Sequence, residues 1–179
     1  MIPLSLALHN FLSYGPRVPV LDFTQFKVAC LTGGNGHGKS ALLDAIPYAL
    51  WGEARKSQHE RRPDEGLLRL GAAEMRVEFC FALDEDRFRV IRSFRKGRRQ
   101  GMTQLELQVF DPAGNTYKTL SENASLVRTQ ERIDQLLCMN YDTFINSAFI
   151  LQGRADEFTQ KGARQRKEIL ADLLGLSRY

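Results

Sequence analysis

The sequence predicts an α/β fold, and three observations carry that reading. The octapeptide Gly33-Gly34-Asn35-Gly36-His37-Gly38-Lys39-Ser40 lies between a short apolar run and an apolar helical stretch. The middle of the chain alternates apolar and polar residues with a period of two, the pattern of half-buried strands. Its last part changes to helical spacing, with Ile169, Leu173 and Leu176 at i, i+4 and i+7 beside Leu170 and Leu174.

Taken in order, Ile2, Leu4, Leu6 and Leu8 alternate with Pro3, Ser5, Ala7 and His9 and predict a first strand. Ser13-Tyr14-Gly15-Pro16 is a turn. Val18 to Phe23 reads as a second strand and Val28 to Leu31 as a short buried third. A helix follows from Ala41 to about Trp51, and Pro47 inside it predicts a local kink because proline donates no backbone hydrogen bond. Residues 52–72 are polar and read as a surface loop with one helical turn.

Met75, Val77, Phe79, Phe81 and Leu83 then mark a strand, Asp84-Glu85-Asp86 a turn, and Arg87 to Arg95 the returning strand. Lys96 to Gly101 is a loop before a third strand at Leu105, Leu107 and Val109, which ends at the turn Asp111–Asn115. This antiparallel meander beside the glycine-rich segment predicts a mixed sheet overall. Ser121 to Leu137 reads as helix, Tyr141 to Leu151 as helix passing into strand, and the chain from Gly162 as helix again.

Composition narrows the class. With 43% hydrophobic and 26% charged residues in 179, the chain is globular and long enough to bury a core without disulfides. Cys30, Cys80 and Cys138 are widely spaced and form no CxxC pair, so each is expected to be a small buried hydrophobe in a reducing cytoplasm. No apolar run approaches the roughly 20 residues of a membrane helix, and the start lacks the basic and cleavable regions of a signal peptide. A net charge of +4 permits a polyanionic partner without requiring one.

The octapeptide matches G-x-x-x-x-G-K-[ST] in the strand-to-helix setting that pattern needs. Its chemistry is phosphate binding. Glycines reach backbone angles closed to other residues. The amides of Asn35, Gly36, His37, Gly38, Lys39, Ser40 and Ala41 and the positive end of the helix then face an anion. The Lys39 ammonium reaches β- and γ-phosphate oxygens, and the Ser40 hydroxyl ligates Mg²⁺, so ATP with Mg²⁺ is the expected ligand pair.

The blocks around this loop narrow the family. They are Leu8-His9-Asn10-Phe11-Leu12-Ser13-Tyr14, the loop followed by Ala41-Leu42-Leu43-Asp44-Ala45-Ile46, Ala49-Leu50-Trp51-Gly52, Phe149-Ile150-Leu151-Gln152-Gly153, Phe158, and Arg164-Gln165-Arg166-Lys167-Glu168-Ile169-Leu170. In order and spacing this string resembles the N-terminal half of the SMC-like SbcC family of double-strand-break repair ATPases (Rad-fifty in archaea and eukaryotes).

The resemblance implies an ABC-type ATPase half-head over residues 1–161 and the start of a coiled-coil helix over 162–179. It implies an ATP hydrolase that is incomplete without a C-terminal half carrying the signature motif, the acidic pair and the switch histidine. The acidic pairs of this chain, Asp64-Glu65, Asp84-Glu85 and Asp156-Glu157, read as polar loops. It further implies a second head in a homodimer, double-stranded DNA, an SbcD-type (Mre-eleven) nuclease, no membrane, and a zinc hook beyond this segment. In a prokaryote the place would be the cytoplasm, in association with the nucleoid.

The resemblance also implies that Gln152 takes the Gln-loop position, which in such heads touches Mg²⁺ and the attacking water, and Arg69-Leu70-Gly71-Ala72 resembles a stretch that lines the nucleotide. Two departures stand out: Leu12 where many relatives carry Arg, and His37 in place of a small residue, whose side chain can point out while its amide still binds phosphate. An SMC chromosome-organising head, an ABC transporter subunit and a nucleotide-gated scaffold with little turnover are the alternatives.

Residues 87–99 hold Arg87, Arg89, Arg92, Arg95, Lys96, Arg98 and Arg99 with no acid among them. Alternation predicts that several share one solvent face, a pattern that solvation alone also explains. With the resemblance, Arg95, Lys96, Arg98 and Arg99 become candidates for DNA phosphate contact without base readout. Phe88 and Phe94 fit core positions.

Overall fold

The computed structural model describes residues 1–54, 63–121, 125–147 and 162–173, in two compact units, 1–130 and 131–179. The first unit is built on six strands: β1 (Ile2–His9), β2 (Leu21–Asp22), β3 (Glu74–Leu83), β4 (Asp86–Arg95), β5 (Met102–Asp111) and β6 (Thr116–Thr119). They form one sheet in the order β2-β1-β3-β4-β5-β6, and every pair is antiparallel. The meander is as the alternation predicts. The parallel component of the expected mixed sheet is not among the described strands.

Register explains the core. Leu6, Phe79, Val90 and Leu107 stand in one row across β1, β3, β4 and β5, and all are buried. Leu8, Val77, Arg92 and Leu105 form the next row on the same face. Phe79, Phe81 and Phe88 stack with centroids 5.6 and 5.7 Å apart. Each such side chain contributes roughly 1.5–3 kcal/mol by leaving water.

Helix α1 (Lys39–Trp51) covers this face over β3 and β4. It runs unbroken through Pro47, so the expected kink does not interrupt it; what is lost is the one hydrogen bond to the Leu43 carbonyl. Gly52 ends the helix at φ 75°, its amide donating to the Tyr48 carbonyl.

Arg92 is 3% exposed in an apolar row. Its guanidinium donates to the carbonyls of Ala49 and Leu50 at 3.2 and 3.4 Å, and to Gln130 Oε1 at 2.6 Å. A cation thus meets the negative end of α1, where it is favoured. Of the predicted basic run, Arg87, Arg89 and Arg95 do share one face of β4, and the correction is Arg92, which alternation puts on the opposite face, the core.

Tyr48 lies against Phe11 at 5.3 Å and is wholly buried. Burial first, then the Asp64 carboxylate, pushes its phenol far up. Asp64 accepts from Thr103, and no acceptor meets the Tyr48 hydroxyl in hydrogen-bond geometry among the described residues.

Two predicted strands change. Val18 to Phe23 shrinks to the two residues of β2, because Pro19 lacks a donor and Asp22 accepts from the Thr24 amide to start a 3-10 turn over Phe23–Gln25. Val28 to Leu31 forms no strand, and Val28 is 90% exposed. None of the six strands pairs with this segment, and without a ladder partner a strand does not form. Cys80 is buried as expected, whereas Cys30 and Cys138 are exposed. Cys30 belongs to that unpaired segment, and Cys138 turns out of the end of a helix at φ 54°.

The single helical turn predicted within 52–72 is α2 (Pro63–Leu67). Helix α3 (Leu126–Leu137) spans the boundary between the units. In the second unit, Asn140 caps α4 (Tyr141–Ser147) by accepting from the Thr143 amide at 2.8 Å, and α4 packs on α5 (Ala163–Leu173). Leu174 and Leu176 of the leucine stripe lie outside the described residues. No helix among the described residues is long and apolar enough to cross a membrane.

Candidate nucleotide site

The site is assembled where β1 ends. Asn10 and Leu12 both have φ near +50°, folding residues 10–15 into a tight turn. Asn10 Nδ2 donates to the Glu74 carbonyl at 3.1 Å and ties the turn to β3. The Leu12 amide donates to the Leu67 carbonyl at 2.7 Å, and Arg69 donates its amide to the Asn10 carbonyl and its guanidinium to the Ser13 carbonyl, at 2.9 and 2.7 Å. Phe11, fully buried, pins the turn from beneath.

This turn abuts the glycine-rich loop. The Tyr14 hydroxyl donates to the Gly38 carbonyl at 3.1 Å, and Ser13 Oγ stands 2.5 Å from where a Gly38 Cβ would lie. Gly36 and Gly38 have φ of 81° and 84°, angles that side chains resist. Gly38 begins α1 with no side-chain cap. The amides of Lys39, Ser40 and Ala41 are therefore donors that the helix itself cannot satisfy. Lys39 Nζ bends back over the loop to the carbonyls of Gly33 and Gly34, 2.7 Å from each. An ammonium, a row of first-turn amides and a backbone free of side chains at Gly36 and Gly38 fit a chain of phosphates.

His37 does not turn its ring in the outward direction open to it: the ring folds back to within 3.1–3.5 Å of where a Gly34 Cβ would lie. Its amide donates to the Gly34 carbonyl at 3.4 Å and closes the loop's own turn.

The family model described as an AAA domain matches residues 5–179. The chain belongs to the AAA-domain family. Within it, this AAA domain is an N-terminal half-head of the SbcC and Rad50 type. It is 30% identical over 99% of its length to the C subunit of nuclease SbcCD from Deinococcus radiodurans, covering 19% of that protein. It is 28% identical over 99% of its length to the DNA double-strand break repair Rad50 ATPase of Thermoplasma volcanium, covering 18% of it. It is 30% identical over 98% of its length to a probable Rad50 ATPase of Aquifex aeolicus, covering 17%. The chain thus spans less than a fifth of the relatives it matches.

The AAA domain brings Asn35 to Ala41 and Arg69 together, with Arg69 reaching the loop through Ser13. Leu70 is 99% exposed. Gln152 lies outside the described residues, as do Asp156 and Glu157. Arg95, Lys96, Arg98 and Arg99 are exposed at the β4–β5 end, with Arg95 paired to Glu74 at 3.0 Å and Lys96 to Glu65 at 2.7 Å.

The apolar run Phe79–Leu83 leads into Asp84-Glu85 and imitates a strand ending in a catalytic acidic pair. The pair makes the β3–β4 turn, at the far end of β3 from Glu74. Ten residues at about 3.3 Å each put roughly 30 Å between it and the end of β3 that holds Asn10.

Sequence reasoning passed over two residues. Tyr14 was legible as part of a turn and of the opening block but not as a neighbour of the glycine-rich loop, and Arg92 only as one of a basic run. A single arginine among strand positions that otherwise read Phe88, Val90 and Phe94 was the available signal for the second.

Proposed function

We propose that this chain is the ATP-binding half of a DNA-repair ATPase head that closes on a second head around ATP, binds DNA ends and regulates a partner nuclease. The observation that carries the reading is the phosphate cradle: Lys39 over the loop carbonyls, three orphan amides at the start of α1, and glycines at positive φ.

Lys39 exchanges the Gly33 and Gly34 carbonyls for β- and γ-phosphate oxygens. The amides from Asn35 to Ala41 hold the remaining charge, and the helix start adds its positive end. Ser40 supplies a hydroxyl, and Gln152 an amide oxygen, to Mg²⁺. When bound, that ion would neutralise charge on the phosphates.

The exposed apolar residues Val20, Val28, Leu31 and Leu43 support a complementary C-terminal half that gives the 28–31 segment its missing strand neighbours. In this reading residues 1–161 form the lobe and 162–179 lead into the coiled coil.

The DNA surface is assigned to Arg95, Lys96, Arg98 and Arg99. Their ion pairs at Glu74 and Glu65 are solvent-exposed, and exposed pairs contribute only about 0–1 kcal/mol, so phosphates displace those carboxylates readily. Replacing all four by Ala is expected to weaken binding to unrelated duplexes equally. The slope of log K against log[salt] should flatten by about 0.9 for each phosphate no longer neutralised. An unchanged slope in a filter-binding series would remove these residues from the DNA surface.

A further inference from the structure

We infer that Tyr14 is a positioning residue for the phosphate cradle: its hydroxyl, held on the Gly38 carbonyl, sets the direction of the Lys39 amide. The inference rests on the nucleotide-binding reading and adds a residue outside the glycine-rich loop to it.

The argument starts from the peptide bond. The Gly38 carbonyl and the Lys39 N–H belong to one planar trans unit and point in opposite directions. Anchoring the oxygen on one side therefore aims the N–H at the other. The Gly38 oxygen has two lone pairs, and both are used: the Leu42 amide donates at 3.1 Å as the first bond of α1, and the Tyr14 hydroxyl donates at 3.1 Å. Donation to the carbonyl also polarises the peptide and makes its N–H a stronger donor. Lys39 N–H is one of the helix-start amides with no intrahelical partner, so an anion receives that gain.

Tyr14 is itself fixed to the sheet. Its amide donates to the Phe11 carbonyl at 2.9 Å, Phe11 is buried beside Tyr48, and Arg69 holds the Ser13 carbonyl. The phenol carbons stand 3.5 Å from the Gly38 Cβ direction, and Ser13 Oγ fills the rest of that space. Gly38 is thus closed to any side chain on two counts, its φ and its neighbours. Partial burial raises the Tyr14 phenol above the usual tyrosine range, which keeps it a proton donor at neutral pH.

The test compares wild type with Tyr14→Phe, which keeps the ring and deletes the donor. Each is titrated, with Mg²⁺, by a non-hydrolysable ATP analogue and by inorganic tripolyphosphate. Both affinities are expected to fall by the same factor, about two- to tenfold. Equal affinities for wild type and variant would overturn the inference. Weakening toward the ATP analogue alone would also overturn it, since Tyr14 would then touch base or ribose. Wild type that binds neither probe would instead fail the nucleotide reading itself.

A spectroscopic readout separates positioning from mere packing. In the nucleotide-free protein the Lys39 amide proton should move upfield in Tyr14→Phe, with the Val90 amide unmoved. Labelling with 3-fluorotyrosine, a stronger donor with the same ring, should move it downfield at pH 6.5 even if Tyr14→Phe does not fold. A Lys39 amide indifferent to both changes would overturn the inference.

Discussion

Arg92→Ala is expected to be the most destabilising single change on the β4 strand, at about 2–4 kcal/mol. The Leu50 carbonyl keeps a donor, since Gln130 Nε2 reaches it at 2.9 Å. The Ala49 carbonyl and Gln130 Oε1 lose the guanidinium that serves them, and each buried group left unpaired costs roughly 1–3 kcal/mol. The side chain also fills space below α1: its guanidinium lies 3.0 Å from the Gly52 Cβ direction and 5.8 Å from the Tyr48 ring. A lowering of the melting temperature on the order of 10 °C follows for a unit of this size. Arg95→Ala, on the exposed face, is the control and should melt with wild type. Equal melting of the two variants would contradict the burial of Arg92.

Lys39→Ala should abolish tight ATP binding while leaving the fold intact. The ammonium is the one charged side chain on the loop, and in the free protein it is bonded only to two exposed carbonyls. Its removal therefore costs the free protein little. In the complex it removes a point charge from two phosphate oxygens, a loss of about 2–5 kcal/mol, or roughly 30- to several thousand-fold in affinity. Titration of a fluorescent ATP analogue into both proteins measures it. Equal affinities would mean that the glycine-rich loop is only a turn leading into α1.

The contrast between these residues shows what a sequence carries. Lys39 was legible because its chemistry is local: eight consecutive residues between an apolar run and an apolar helix mark the cradle. The strands β3, β4 and β5 were legible because one face is dry and the other wet, which writes a period of two into Met75–Leu83, Arg87–Arg95 and Leu105–Val109. Strand β6 left no such trace. Its four residues pair only with the last part of β5 and are largely exposed, so neither face is selected for apolarity.

Val28–Leu31 misled for the converse reason. An apolar run signals that something covers it, and does not say whether the cover is this sheet. Arg92 was hidden by averaging a basic run over two strand faces, although alternation already assigns it to the row of Phe88, Val90 and Phe94. Asp84-Glu85 shows the opposite hazard: an apolar strand followed by two acids is a pattern that any hairpin with an acidic turn produces.

Phosphate release tests the central account most directly, because it asks whether this chain is one half of a working site. Hydrolysis requires cradled phosphates, a held Mg²⁺ and an oriented, polarised water. Lys39, the loop amides and Ser40 supply the first and part of the second. Of the acids near the loop's own unit, Asp64 is engaged by Thr103, and Asp84-Glu85 lies at the distant hairpin. The account predicts negligible release from this 179-residue chain alone, and release that appears on adding the C-terminal half of the same ATPase in trans, rises with duplex DNA, and is lost in Lys39→Ala. Robust turnover by the chain alone, abolished by Lys39→Ala, would contradict it and place the chain in a different branch of phosphate-loop enzymes.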